Sequence, residues 1–136
     1  MADYLKPVPT ADVETKPYWE GCKRHELLLP WCKHCKDYFF PPQAICPHCL
    51  KADIEWRKAS GKGVVYSMSV VHQNKSPGFR EQGPYVLAYV TLDEGVQMLT
   101  NVLANDPYAV KIGTPVEVTF EDATPEVSIP KFTVRK

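Results

Sequence analysis

Cys32-Lys33-His34-Cys35 and Cys46-Pro47-His48-Cys49 are two C-x-x-C pairs with ten residues between them, and they decide the fold of the first half of the chain. A C-x-x-C turn brings two thiolates to one side of a tight knuckle, and a second knuckle facing it completes a tetrahedral sulfur cage about 2.3 Å from a zinc ion. Four protein ligands leave no open coordination position, so the expected metal is structural: one Zn2+ per chain, held by Cys32, Cys35, Cys46 and Cys49. Iron fits the same cage, and the colour of the purified protein separates the two. A redox C-x-x-C stands singly before a helix, which two facing pairs match poorly. His34 and His48 lie inside the knuckles, but four thiolates already fill the shell, so both are expected at exposed tips. Glycine often follows the second cysteine of such a knuckle, and here Lys36 and Leu50 stand there instead, which implies slightly strained turns.

Working outward, Leu27 to Trp31 and Asp37 to Phe40 flank the first knuckle as short ribbon strands closed by Pro41-Pro42. A ribbon of about 30 residues cannot bury a core unaided, and metal binding worth roughly 10–16 kcal/mol supplies its folding energy. Upstream, Tyr18 to about Leu28 is expected to form a short helix, with Pro17 at its start and Pro30 stopping it. Residues 1 to 17, with Pro7, Pro9 and Pro17 among polar residues, are expected as an extended arm that orders on a partner. Cys22 falls in the helix beside Lys23 and Arg24. Those cations lower a thiol pKa, yet no oxyanion hole is evident, so Cys22 is taken as a packed or surface cysteine.

Beyond Trp56 the pattern changes to strands. Gly61 to His72 is one long, bent strand rich in β-branched residues, with Gly61 and Gly63 allowing its coil. A polar loop from Gln73 to Gly83 leads to a second strand, Pro84 to Leu92. The turn Asp93-Glu94-Gly95 returns the chain as Val96 to Leu103, completing a hairpin. Pro115 to Glu121 and Lys131 to Arg135 supply strands four and five. Five antiparallel strands with a long first strand fit an OB-fold barrel better than a sandwich. The expected fold is therefore mainly β: residues 1–28 arm and helix, 29–56 zinc ribbon, 57–136 OB-fold domain.

The whole chain has 136 residues, with 16 Lys plus Arg against 16 Asp plus Glu and 44% hydrophobic residues. Such a composition folds, and its neutrality argues against a general nucleic-acid or membrane-surface binder. The opening Met1 to Pro7 has no basic region followed by an apolar run. The longest apolar stretches fall far short of the roughly 20 residues that cross a bilayer. A cytoplasmic protein is expected.

Several motifs together resemble a known family, a rubredoxin-like zinc ribbon joined to an OB-fold and found beside thiolase-superfamily enzymes. They are Pro17-Tyr18-Trp19-Glu20-Gly21, Phe40-Pro41-Pro42 with Cys46-Pro47-x-Cys49, Ser60-Gly61-Lys62-Gly63-x-Val65-Tyr66-Ser67, Pro84-Tyr85-Val86, Leu92-Asp93-Glu94-Gly95 and Lys111-Ile112-Gly113-x-Pro115-Val116. The resemblance covers about residues 17 to 133. It implies an accessory subunit that binds a thiolase, acyltransferase or retro-aldolase of thiolase fold and helps hold acyl-CoA. The catalytic residues then belong to the partner, and a two-plus-two heterotetramer is the simplest assembly.

The residues agree with a non-catalytic role, since the chain holds no Ser-His-Asp series and no open metal site. Residues 51 to 90 carry Lys51, Arg57, Lys58, Lys62, Lys75 and Arg80 against Asp53, Glu55 and Glu81. From that local excess, Lys62, Lys75 and Arg80 are the candidate contacts to CoA phosphates, with His72 beside them at the end of the first barrel strand. The alternative is a solvated face. Phe79 in the loop, with Gly78 and Gly83 as pivots and Tyr85 next to it, is the expected partner and substrate contact. Trp19 and Tyr18 are candidate interface anchors, with core packing the equal alternative. A single-stranded nucleic-acid module is the rival reading, with Tyr85 and Tyr89 on one strand face as stacking platforms. A free-standing enzyme using Cys22 or His72 is the third.

Overall fold

A computed structural model describes residues 4–135. Helix α1 spans Lys16–Lys23. Eight strands follow: β1 Leu28–Cys32, β2 Asp37–Tyr38, β3 Ile54–Lys58, β4 Lys62–Val71, β5 Tyr85–Leu92, β6 Gln97–Leu103, β7 Pro115–Asp122 and β8 Ser128–Val134. A 3₁₀ turn, Pro107–Ala109, lies between β6 and β7. The fold is mostly β, with a zinc-ribbon region followed by a closed five-stranded OB-fold barrel.

The helix ends five residues earlier than its apolar spacing implies. Its last turn closes as a Schellman motif, in which the Glu26 N–H donates to Gly21 O at 2.8 Å and the His25 N–H to Cys22 O at 2.9 Å. The residue past the cap must be left-handed, and His25 takes that place at φ 62° where glycine is usual. Its ring compensates by stacking on Phe120, 5.2 Å between centroids, and by pairing with Asp122 at 2.8 Å. The chain is therefore free to begin β1 at Leu28.

β1 is the centre of a three-stranded antiparallel sheet ordered β2-β1-β3. β3 had no counterpart among the expected strands, and it pairs with all of β1 from Leu28↔Lys58 to Cys32↔Ile54. Arg57 lies 4.0 Å over the Trp31 ring, which in turn meets Tyr38 edge-on at 4.8 Å. The sheet thus carries Arg57 on an aromatic face.

The barrel order is β4-β5-β6-β8-β7, closed by β4 against β7. One pairing corrects the all-antiparallel expectation: β6 and β8 run parallel, through Val102↔Phe132 and Leu103↔Thr133. The long connection after β6 carries the chain across the end of the barrel and leaves no other direction. Gly63 is where β4 pairs with β5 and β7 at once, and a Cβ there would collide with the Thr91 carbonyl. A β-bulge at Tyr66 re-aims the rest of β4.

Alternation buries Val86, Ala88, Val90 and Leu92 of β5 with Met98 and Val102 of β6 around Phe132. Tyr18, Cys22, Leu27 and Leu29 belong to the same buried cluster, so the helix and β1 share a core with the barrel. The link between ribbon and barrel is short and tied down. The Ala59 N–H donates to Leu27 O at 2.8 Å, and the Ser60 N–H to Glu94 Oε2 at 2.8 Å.

Candidate metal centre and the barrel surfaces

Cys32 closes β1 and Cys46 sits in the opposite loop, both fully buried beside Phe39. Each knuckle is closed by backbone: the Lys36 N–H donates to Cys32 O at 2.8 Å and the Leu50 N–H to Cys46 O at 2.9 Å. N–H groups also point at sulfur, from Cys35 to Cys32 Sγ at 3.3 Å and from His48 to Cys46 Sγ at 3.4 Å. Such donors favour thiolate over thiol.

The four Sγ atoms lie within 4.8 Å of one another. Cys32 and Cys49 are 3.6 Å apart and Cys35 and Cys46 3.9 Å apart. A tetrahedron with bonds of about 2.3 Å has edges of about 3.8 Å, so the cage has the size that zinc requires and is too wide for disulfides. When bound, the ion supplies cross-linking of the two knuckles. His34 and His48 are exposed at the knuckle tips, as expected. Lys36 and Leu50 have φ of 56° and 62°, the left-handed backbone implied where glycine is missing.

The candidate CoA residues do not form one cluster. Lys62 opens β4 beside the Asp93 turn, whereas His72, Lys75 and Arg80 follow its far end, roughly 30 Å of strand away. His72 Nδ1 is 3.3 Å from Tyr108 Oη on the 3₁₀ turn. Arg80 pairs with Glu81 at 3.1 Å, and that pairing holds the Glu81 carboxyl below its usual range.

Phe79 is half-buried, 5.5 Å from the Tyr85 ring and beneath the Lys6 ammonium at 5.2 Å. Gly78, expected as a pivot, serves instead as a close-approach point at φ 86°: a Cβ there would lie 2.8 Å from Lys6 N. The loop therefore packs against the N-terminal arm. Tyr85 Oη accepts from Asn74 at 2.9 Å, which engages this ring with the loop and removes it from a free stacking platform. Tyr18 is 6% exposed and packs on Trp19 and Phe40, so it is a core residue rather than an exposed anchor. Trp19 is half-buried and lines a shallow pocket with Pro9, Ala11 and Val127. Cys22 is fully buried, and burial pushes its thiol up to about 12, which leaves no nucleophile there at neutral pH.

A polar network that the sequence did not signal joins arm to barrel. Lys131, nearly fully buried on β8, pairs with Glu121 at 2.9 Å, and Tyr4 Oη donates to the other oxygen of the same carboxylate. Burial, followed by the charge of nearby Lys131, holds the Lys6 ammonium below its usual range. Lys6 and Lys131 border a cleft of ≈ 650 Å³ walled by Tyr85, Leu103 and Pro107. An isolated lysine in a strand looks like a solvated one, so only the fold exposes its role.

A zinc ribbon feeding an OB-fold barrel defines the class. Residues 19–55 match the family model of the ChsH2 rubredoxin-like zinc ribbon domain and residues 56–121 that of the ChsH2 C-terminal OB-fold domain. The chain belongs to this DUF35/ChsH2 family. It is 36% identical over 115 residues to a DUF35 domain-containing scaffold protein of Methanothermobacter thermautotrophicus, covering 83% of this chain and 86% of that one. It is also 36% identical over 128 residues, 94% of its length, to a probable enoyl-CoA hydratase alpha subunit of Thermomonospora curvata, of which it spans 40%. Among solved structures, the Ltp2-ChsH2(DUF35) aldolase contains a similar chain at TM-score 0.83 and 35% identity, covering 93% of this chain and 98% of that one. A DUF35 protein of Sulfolobus solfataricus shares the fold at TM-score 0.66 and 17% identity. Among the described residues no helix is long and apolar enough to cross a membrane.

Proposed function

We propose that this chain is a non-catalytic, zinc-stabilised scaffold subunit of an acyl-CoA complex, with thiolysis, acyl transfer or retro-aldol cleavage carried out by a thiolase-fold partner. The observation that carries the reading is the closed four-cysteine cage. Its ligand set is complete, the remaining thiol is buried, and Lys131 is engaged by Glu121. These groups, among the described residues, hold shape and do not present a nucleophile with its base. Relatives named as a scaffold protein, a hydratase alpha subunit and part of an aldolase support a subunit role.

Acyl-CoA offers phosphates, an adenine and a long thin arm, which call for a few cations beside an apolar groove. Lys75, Arg80 and Lys6, with the cleft that Lys6 borders, lie at the loop end of the barrel and meet that description. Lys62 lies at the opposite end of β4 from Lys75 and Arg80. In the complex, Lys75→Ala with Arg80→Ala is expected to weaken CoA-ester binding several-fold and Lys62→Ala to leave it unchanged. Equal affinities for all variants would sink the CoA assignment.

The whole reading is tested by native mass spectrometry of the tagged protein from its source cell. One zinc per chain with a larger thiolase-fold subunit, in a two-plus-two assembly, is the expected spectrum. A zinc-bearing monomer carrying only nucleic acid would overturn it.

A further inference from the structure

From the register of the first three barrel strands, we infer that the outer face of β4, β5 and β6 is a protein-docking surface centred on Tyr66, Tyr89 and Leu99. The inference rests on the subunit reading above, but on different residues from those assigned there. The bulge at Tyr66 leaves both Tyr66 and Ser67 exposed opposite Tyr89, and Tyr89 in turn faces Leu99. The three side chains form one row across the barrel wall. They are 58%, 46% and 55% exposed. Val64 and Leu87, on the neighbouring rows, extend the patch.

Size and chemistry choose the occupant. Five half-exposed side chains present on the order of 400 Å² of apolar surface, about half of what each side of a stable interface buries. The other outer positions of these rows are Ser, Thr, Asn and Gln, and none carries a charge. An aromatic centre with an uncharged polar rim is the composition of an interface core. Nucleic acid would need cations interleaved with the aromatics, and the patch has none. A second copy would offer the same convex wall, and two convex barrels meet only along a stripe, short of the roughly 800 Å² per side that a stable dimer needs. The fitting occupant is a flat or concave apolar surface on a different protein.

The test replaces Tyr66 with a benzoyl-phenylalanine photocrosslinker in the full-length tagged chain in its source cell, and in parallel makes Leu99→Lys, Tyr89→Lys and, as a control in the arm beside the β7–β8 turn, Val13→Lys, a residue 92% exposed. The expected result is a crosslink to the subunit that co-purifies in fixed stoichiometry. Recovery of that subunit should fall at least tenfold with Leu99→Lys or Tyr89→Lys and stay unchanged with Val13→Lys. Zinc content and melting temperature of each lysine variant verify folding. A crosslink to a second copy or to nucleic acid would overturn the inference. So would a co-purified subunit retained by both variants, and in that case the scaffold reading stands. If no subunit co-purifies with the unmodified chain, both readings fail together.

Discussion

Tyr4 and Glu121 are 117 positions apart in sequence, and the tyrosine hydroxyl donates to the carboxylate at 2.6 Å. That bond fastens the N-terminal arm to the outside of the barrel through a carboxylate already paired with Lys131. The arm expected to order only on a partner is thus held by the chain itself. Its cost in conformational entropy is offset by charge-assisted bonds and by the packing of Lys6 on Phe79.

Tyr4→Phe is expected to destabilise the protein by about 1 kcal/mol, the size of one partly exposed hydrogen bond to a charge. Glu121→Gln should cost more, about 2–3 kcal/mol, because it strips the counter-charge from buried Lys131. Urea melts measure both. Faster amide exchange in residues 4–9 of Tyr4→Phe, with the barrel strands unaffected, would show that the arm lifts on its own. Equal loss throughout would refute a local latch.

The bonds to Glu121 from Tyr4 and Lys131 outweigh its burial and hold its carboxyl below the usual range; Asp122 is lowered by Ser128, with His25 adding to it. A carboxyl lowered on folding contributes stability above its unfolded value, and that stability is lost as pH falls through the folded value. The melting temperature should therefore fall below about pH 4.5. Glu121→Gln should show a flatter acid limb, read by calorimetry across pH 3–6, and an unchanged slope would remove Glu121 as a cause.

Chelation of the metal, or Cys46→Ala, is expected to open the two knuckles and the metal end of the β2-β1-β3 sheet, because the core there is only Cys32 and Cys46 with Phe39, while Leu29 of β1 stays in the barrel core. Loss of amide protection in β1 and β3 together with zinc release would be the result. Full protection without metal would show that the sheet folds unaided. A red protein would identify the ion as iron.

Lys36→Gly and Leu50→Gly should each stabilise the ribbon by about 0.5 kcal/mol, since glycine relieves a left-handed penalty of about 1–2 kcal/mol and returns part of it as chain entropy. At the helix cap, His25→Gly should be milder than His25→Ala, which keeps the strain and loses the Asp122 and Phe120 contacts. Melting temperatures in the opposite order would contradict this account of the cap.

What was legible in the chain followed local patterns. The cage came from ligand spacing, and β4 to β7 from alternation that survives without context. β3 was missed although Ile54-Glu55-Trp56-Arg57 alternates apolar and polar, because the run is only five residues long and Arg57, which stacks over Trp31 in the fold, reads with Lys58 as solvated charge. The start of β8 was hidden by Pro130, which breaks the strand signal while pairing with Phe120. The helix end was hidden because histidine occupies a glycine position. The parallel β6–β8 pair and the Glu121 network depend on residues brought together from afar, and no window of sequence contains them.

The tie between Leu27 and Ala59, with Ser60 bound to Glu94, leaves almost no swivel between the two halves of the molecule. The ion in its cage is thus a fixed landmark for the whole barrel. Cobalt exchanged into it would cast paramagnetic shifts over β4 and β5 that a single orientation tensor describes, and any protein seated on the barrel wall would be surveyed from the same point.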